Sequence, residues 1–461
     1  MDQQPVLVTE IDTPTHELLF DDLIPLPFKI LFIIQFGTFL WFSLSYILYN
    51  YTNLNLLRLL DLSYNPHNYA QLDSRDHGES GFESGEFRST IPPSINENNL
   101  LITGIWNNLK AITIVNVLSW TLFKIVQTNY EHTAEHTDNP FATVFAPLYY
   151  ILPIIAFSYL FYRLFYKSTS RNNAVNHKGQ FRVYTTMKRI LLGFINSTTM
   201  RTNDILISDS LTSYSKICND FGLFFWNYYY SDDIAYDIHL EFIILCIPTF
   251  IRIRQCYLEY TITRKNQHIL NLLKYASALG PLLVNLSIKY NLTLKPFEAD
   301  EMVQQILMKK IEFLNNWWYI FSFINSTYSF IWDVKMDWNF ELFDSLINPN
   351  KKFRVLRNKL AFKTTAVYFV IIILDFILRF VWVLKLFIIT EELDNSTYLH
   401  VFSTFLFGYD AFSFGYTVLE TLEIIRRWLW CFIKLESDWV KLEPGDYDIE
   451  LTPTSANKRD T

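Results

Sequence analysis

Hydrophobic positions along this chain gather into long runs. Stretches of about 18 or more mostly apolar residues recur at roughly 28–50, 102–127, 141–166, 204–228, 238–256, 268–289, 312–333, 361–390 and 398–425, each long enough to cross a bilayer as a helix. A tenth, weaker candidate, Phe181 to Met200, is apolar on one face and basic at Lys188 and Arg189. The pattern predicts an all-α, polytopic integral membrane bundle of about 9–10 transmembrane helices. Residues 1–27 form a short polar, acidic tail. After the first run, residues 51–100, including Ser74 to Glu86, are rich in Ser, Gly, Asn and Glu and are expected to be a mobile loop. Residues 28–200 would then be amino-terminal scaffold helices, 201–435 a second membrane bundle and 436–461 a tail. No internal sequence repeat is visible, so an inverted-repeat architecture has no support.

Composition agrees with this class. The 461 residues are 50% hydrophobic and 17% aromatic, with 18% charged against about 25% in soluble domains. The formal charge of −7 says little about partners, because membrane orientation follows local Lys and Arg counts, and no nucleic-acid footprint is present. Cys218, Cys246, Cys256 and Cys431 lie in or beside apolar segments and read as packing residues, not as a disulfide framework. The amino terminus lacks a basic n-region and meets Pro25 and Pro27 before its first run. No cleavable signal peptide is expected, and the first hydrophobic helix should target the chain to the secretory pathway.

Basic residues set the sides. Arg252, Arg254, Arg264 and Lys265 mark one loop, and Lys351, Lys352, Arg354, Arg357, Lys359 and Lys363 another; Asp232, Asp233, Glu391, Glu392 and Asp394 mark loops opposite them. The basic loops are expected in the cytosol, which places the carboxyl tail there and the sequons at Asn291 and Asn395 in the lumen. Nine crossings put residue 1 in the lumen; ten put it in the cytosol.

Charge inside the spans carries the candidate chemistry. A charged side chain in mid-bilayer costs about 2.5–3.5 kcal/mol on insertion scales and normally faces the bundle interior or a hydrated pathway. Asp375 and Arg379 are four apart and share a helix face; Glu423, Arg426 and Arg427 have i, i+3 and i+4 spacing; Asp333 and Asp337 repeat the one-face geometry; Lys274 lies well inside its run. Together they predict a buried site with positive charge from Lys274, Arg379, Arg426 and Arg427 and negative charge from Asp333, Asp337, Asp375 and Glu423. A tetrahedral oxyanion suits it, because guanidinium offers planar bidentate donors and lysine a compact point charge. The carboxylates would fix the arginine rotamers and limit the field so that the anion can leave. The alternative is a set of internal salt bridges with no ligand. Lys335, off the face of the two aspartates, reads as a snorkelling cytosolic anchor.

Trp317 to Trp338, Leu374-Asp-Phe-Ile-Leu-Arg-Phe-Val-Trp382, and Glu423-Ile-Ile-Arg-Arg-Trp-Leu-Trp430 with Lys434-Leu-Glu436 closely resemble motifs of the EXS-domain family, which includes retrovirus-receptor-type phosphate exporters and a yeast Golgi ER-retention protein. The likeness extends through Ser208-Asp-Ser-Leu211, Arg252-Ile-Arg-Gln-Cys256 and Leu272-Leu-Lys-Tyr275, and more loosely to Ile24 to Phe32. The resemblance implies phosphate-pathway roles for Asp209, Arg252, Lys274, Tyr275, Asp333, Asp337, Arg379, Trp382, Glu423, Arg426 and Arg427. It also implies an even number of helices, hence ten crossings with both termini cytosolic. The exporters carry a large amino-terminal SPX domain, whereas only about 27 residues precede the first run here, so the short Golgi branch is the better match. Thr212 stands where the exporters are expected to have Asn, and Tyr257 to Arg264 lacks their paired basic residues.

Three other signals are weaker. His132-Thr-Ala-Glu-His136 has the H-x-x-E-H form of zinc peptidases but sits in a short polar loop. Asp446-Tyr-Asp448 lies in the tail and reads as solvated. Trp317, Trp318 and Trp338 read as interfacial anchors; Trp382, in mid-segment, is kept as a site residue. The expectation is a Golgi membrane phosphate transporter or channel, moving inorganic phosphate from lumen to cytosol without a cofactor or metal and without enzyme activity. The alternative is a non-transporting sorting factor that retains glycosyltransferases and luminal ER proteins through its tail. Expected partners are inorganic phosphate, the lipid bilayer, sorting adaptors or glycosyltransferases at the tail, and a second copy of the chain in a homodimer; no nucleic acid is expected.

Overall fold

A computed structural model of the chain describes residues 23–60 except 53, 55, 57 and 58, together with 95–134, 140–165, 174–196, 201–230, 234–294, 301–350, 352–389, 398–407 and 414–441, and all regular structure among them is helical. Helix α1 (Leu26–Thr52) begins where Pro25 and Pro27 fix the backbone: the Phe28 and Lys29 amides donate to Pro25 O at 2.9 and 3.0 Å. Then come α2 (Ile95–Ala134), α3 (Pro140–Phe165) and the amphipathic α4 (Ala174–Leu191). The remaining helices longer than one turn are α5 (Arg201–Ser213), α6 (Ser215–Tyr230), α7 (Ile238–Thr263), α8 (Asn266–Ser277), α9 (Leu279–Leu294), α10 (Glu301–Trp332), α11 (Ala366–Arg379), α12 (Tyr398–Phe407) and α13 (Phe414–Lys441). Among the described residues, four stretches are long and apolar enough to cross a membrane: Leu26–Thr52, Asn99–Thr128, Asn266–Leu294 and Ala366–Lys385. Ile114, Leu118, Leu122 and Ile125 of α2 and Val370, Ile373 and Ile377 of α11 are exposed, as expected of faces solvated by lipid tails.

The core has two main parts. Near the carboxyl end of α13, Leu44 and Leu48 of α1 pack with Leu206, Val334, Trp338, Tyr368, Trp430 and Ile433. Toward its start, Phe28, Ile30 and Leu31 pack with Ile112, Phe123, Phe157, Leu160, Ile217 and Ile424. Gly37 lets α1 touch Tyr214, whose hydroxyl would overlap any Cβ there.

These contacts fix helix directions. Lys29 meets Glu420, and Trp428 Nε1 donates to Leu40 O at 2.7 Å, so α1 and α13 run the same way. Leu23 O accepts from Trp120 Nε1 at 3.1 Å, Gln35 bonds Thr113 and Asn116, and Phe42 stacks on Trp106, so α2 runs oppositely. The far end of α13 is clasped by the basic stretch: Glu436 accepts from Arg357 and, at 2.7 Å, from the Ala361 amide. With that stretch in the cytosol, α1 runs from lumen to cytosol and α2 returns, so α3 ends in the cytosol, the side on which α5 begins. Helix α4 joins these two cytosolic ends through Gln180 to Arg163 O (3.2 Å) and Arg189 to Asp204 (2.8 Å) and does not cross. With the basic stretch on the expected cytosolic side, these helix directions agree with the nine-crossing alternative.

The apolar runs are also more broken than their hydropathy suggests. The 204–228 run bends at Tyr214, the 268–289 run at Ala278 and the 361–390 run at Phe380, while 398–425 divides into α12 and α13, with Gly415 set directly against Phe405 O. All four cysteines are free and three are buried. Asn291 is 3% exposed and donates to Ser287 O at 2.6 Å, so this sequon's amide is occupied within the fold. Asn395, Ser74 to Glu86, Asp446 to Asp448 and the side chains of His132 to His136 lie outside the described residues.

Candidate functional site

Interrupted helices meet around one cavity. At Tyr214 the amide is shared between Ser210 O and Leu211 O, at 3.2 and 3.1 Å, which turns the side chains of Thr212 and Ser213 inward. At Ala278 the helix breaks three residues before Pro281, which has no N–H to donate back. In α10 the last turn widens into a π turn over Asp333–Asp337, with the Trp338 amide on Asp333 O at 2.9 Å; such turns cluster at functional sites. After Arg379 the α-helix gives way to a 3-10 turn, Val381–Lys385.

These breaks surround a cavity of about 390 Å³. Arg379 carries two carboxylates, Asp333 and Asp375, the latter at 3.0 Å from Nε. Arg426 clasps Glu423 with both Nε (2.8 Å) and Nη2 (2.6 Å), and its Nη1 lies 3.4 Å from Asp375. Glu423 also accepts from Ser213 Oγ at 2.7 Å. Arg427 donates to Ser213 Oγ and Thr212 Oγ1 at 3.1 and 3.4 Å and covers the Trp430 ring at 4.9 Å. Lys274 differs from the arginines. Its ammonium lies 4.4 Å from the Tyr275 ring centroid and 5.5 Å from that of Trp332, and it forms no ion pair with any described residue. Trp382 stacks edge-on against Trp318 and donates to Ser326 Oγ at 3.0 Å, and Ser326 donates to Arg379 O at 3.1 Å.

Of the eleven residues expected in the pathway, Lys274, Tyr275, Asp333, Arg379, Trp382, Glu423, Arg426 and Arg427 line this cavity. Asp209 and Arg252 stand behind it. Asp209 accepts from the Tyr275 hydroxyl at 2.6 Å and pairs with Arg252 Nε at 2.7 Å, while Arg252 also bonds Ser208 and Gln255. They position Tyr275 from the rear. Asp337 does not line the cavity but is the leading carboxylate acting on Lys274, which does. Lys335 pairs with Asp344, so it is a local brace more than a snorkelling anchor. Among the tryptophans read as interfacial, Trp338 is wholly buried and Trp318 is 5% exposed in the cavity wall; only Trp317 is open, at 41%.

The hydropathy reading also passed over several residues. Thr212, Ser213 and Ser326 are cavity donors or acceptors whose small polar side chains carry no signal of their own inside an apolar run. Lys29, Asp220 and Glu420 form a second buried charge cluster. Its signal was present, since each is a charge inside a predicted span or at its start.

A helical membrane bundle whose broken helices present paired arginines and two lysines, Lys216 and Lys274, to one cavity is the architecture that the site defines. The EXS family profile matches residues 24–440, and the chain belongs to the EXS family. It is 28% identical over 381 residues to Protein ERD1 of Kluyveromyces lactis, covering 77% of this chain and 85% of that protein. Protein ERD1 of Saccharomyces cerevisiae is 26% identical over 252 residues, 55% of this chain and 59% of that protein. Human Solute carrier family 53 member 1 is 30% identical over 227 residues, which is 48% of this chain but only 28% of that longer protein.

Proposed function

We propose that the cavity is a pathway for inorganic phosphate and that the protein carries phosphate from the Golgi lumen to the cytosol. The observation behind this reading is that the cavity is lined by five cations, Lys216, Lys274, Arg379, Arg426 and Arg427, against three carboxylates, Asp333, Glu420 and Glu423. Lys274, 6% exposed, is balanced by Asp337, Asp209 and Asp333 at longer range than an ion pair, which leaves its ammonium able to donate to an anion. The arginines are held by Asp333, Asp375 and Glu423, so they are pre-aimed while their charge is moderated, the balance that binding and release of a permeant anion require. The ERD1 and solute-carrier relatives agree with this membrane setting. The sorting-factor alternative would act through the carboxyl tail, beyond Lys441.

The test is phosphate flux in liposomes bearing the purified protein, alongside a chain ended after Lys441. Flux in wild type and in the shortened chain, lost in Arg426→Ala, supports the pathway. Wild-type flux no greater than that of Arg426→Ala contradicts it.

A further inference from the structure

A second charged cluster is built into the wall of the same cavity and takes no part in holding the arginines. Lys29 of α1 reaches Asp220 of α6 at 2.8 Å and Glu420 of α13 at 3.0 Å, and the three residues are 3%, 1% and 2% exposed. The Lys29 ammonium also stands 4.9 Å from the Tyr416 ring centroid. Around the cluster, Lys216 of α6 lies 4.8 Å from the same ring, Tyr236 bonds the neighbouring Asn219 at 3.1 Å, and Glu423, one turn along α13, is engaged by Arg426 and Ser213. Glu420 Oε1 receives no hydrogen bond among the described residues. Glu420 lines the cavity six residues before Arg426, on its luminal side, whereas Asp220 lies behind it.

Two carboxylates close enough to share one ammonium repel each other strongly where water is excluded. Lys216 also acts on both carboxylates from the cavity side, and a proton held between the two oxygens relieves their direct repulsion, as in other buried carboxylate pairs. Ionised, the pair also adds negative potential on the luminal approach to the arginines and opposes a phosphate dianion; protonated, it opposes it less. Proton and phosphate binding then favour each other, and by linkage the coupling is reciprocal.

The geometry points to Asp220 and Glu420, bridged by Lys29, as a proton-binding site that couples proton movement to phosphate movement through the cavity. This rests on the phosphate reading above. A luminal proton adds to one carboxylate oxygen, giving one neutral carboxyl, one carboxylate and one ammonium, and it leaves to cytosolic water once phosphate has passed.

Two measurements test it. In liposomes loaded with a pH-sensitive dye, acidifying the phosphate-containing outer side should raise wild-type uptake several-fold and bring phosphate-dependent acidification of the interior. Asp220→Asn should keep phosphate uptake at symmetrical pH but lose both effects. Wild-type uptake without phosphate-dependent proton movement, or an Asp220→Asn protein that retains it, overturns the proposal. The second measurement needs no transport: infrared difference spectra of the purified protein between acidic and neutral pH should show a protonated-carboxyl C=O band that vanishes in both Asp220→Asn and Glu420→Gln. A band unchanged in both variants removes the proton site. A wild-type protein that keeps the band yet moves no phosphate at any pH overturns the phosphate reading, and the coupling with it.

Discussion

Lys274 and Arg379 are both buried cations in the same cavity wall, yet their surroundings differ in a way that separates binding from folding. Arg379 satisfies two carboxylates, Asp333 and Asp375, 1% and 0% exposed. Arg379→Ala leaves Asp333 without its guanidinium and Asp375 with only Arg426, at 3.4 Å, and removing one partner of a buried pair costs about 3–5 kcal/mol. A marked fall in the thermal unfolding midpoint of the detergent-solubilised protein is expected; an unchanged midpoint contradicts the pairing. Lys274 acts on Asp337, Asp209 and Asp333 only at longer range, so Lys274→Ala should lower that midpoint less than Arg379→Ala does while weakening phosphate binding by about 10- to 150-fold, the value of one charge-assisted hydrogen bond. Calorimetric titration with inorganic phosphate measures this. The charges of α8, α11 and α13 were legible in the sequence because each is costly in an apolar run. Asp337, read as a lining residue from the same spacing, stands outside the lining and acts on it through Lys274. Lys29, Asp220 and Glu420 were legible by the same cost, but they are spread over three segments with no shared spacing, and only the packing of α1, α6 and α13 brings them together.

At the level of the element, the site is made of places where helices stop being α-helical. Non-helical backbone at membrane depth is tolerated where it is buried in protein or lines a hydrated cavity, and the breaks at Tyr214, Ala278, Asp333 and Phe380 all border the cavity or its supporting shell. Pro281 makes one of them predictable; Tyr214 and Phe380 have neither glycine nor proline beside them, so hydropathy reads each as continuous. Pro281→Ala returns the missing donor and should let α8 continue toward α9, raising thermal stability while slowing phosphate flux. A variant with unchanged flux would separate the break from the pathway. The cytosolic end of α13 is fastened by the 352–365 stretch and the start of α11, where Glu436 accepts from the Tyr368 hydroxyl at 2.8 Å as well as from Arg357 and Ala361. Tyr368→Phe removes one donor from a buried carboxylate and should cost roughly 1–3 kcal/mol, read as an earlier unfolding midpoint.

Across the whole molecule, the all-α membrane class and the location of the charged core could be read from run length and intramembrane charge, because both follow from the solvent properties of a bilayer. The direction of α1 could not. It depends on which way α1 lies against α13, and on α4 staying at the surface, a choice that its single apolar face left open. The structure predicts that, in sealed right-side-out Golgi vesicles, a protease site placed just before Leu23 is protected and one placed after Lys441 is cut; cleavage of both would restore an even number of crossings. The central claim, that this bundle conducts phosphate past Lys274 and Arg426, is tested most directly by radiolabelled phosphate uptake into liposomes containing the wild-type, Lys274→Ala or Arg426→Ala protein. Uptake well above protein-free liposomes in wild type, and near that background in both variants, is the predicted result. Equal uptake in all three would contradict it.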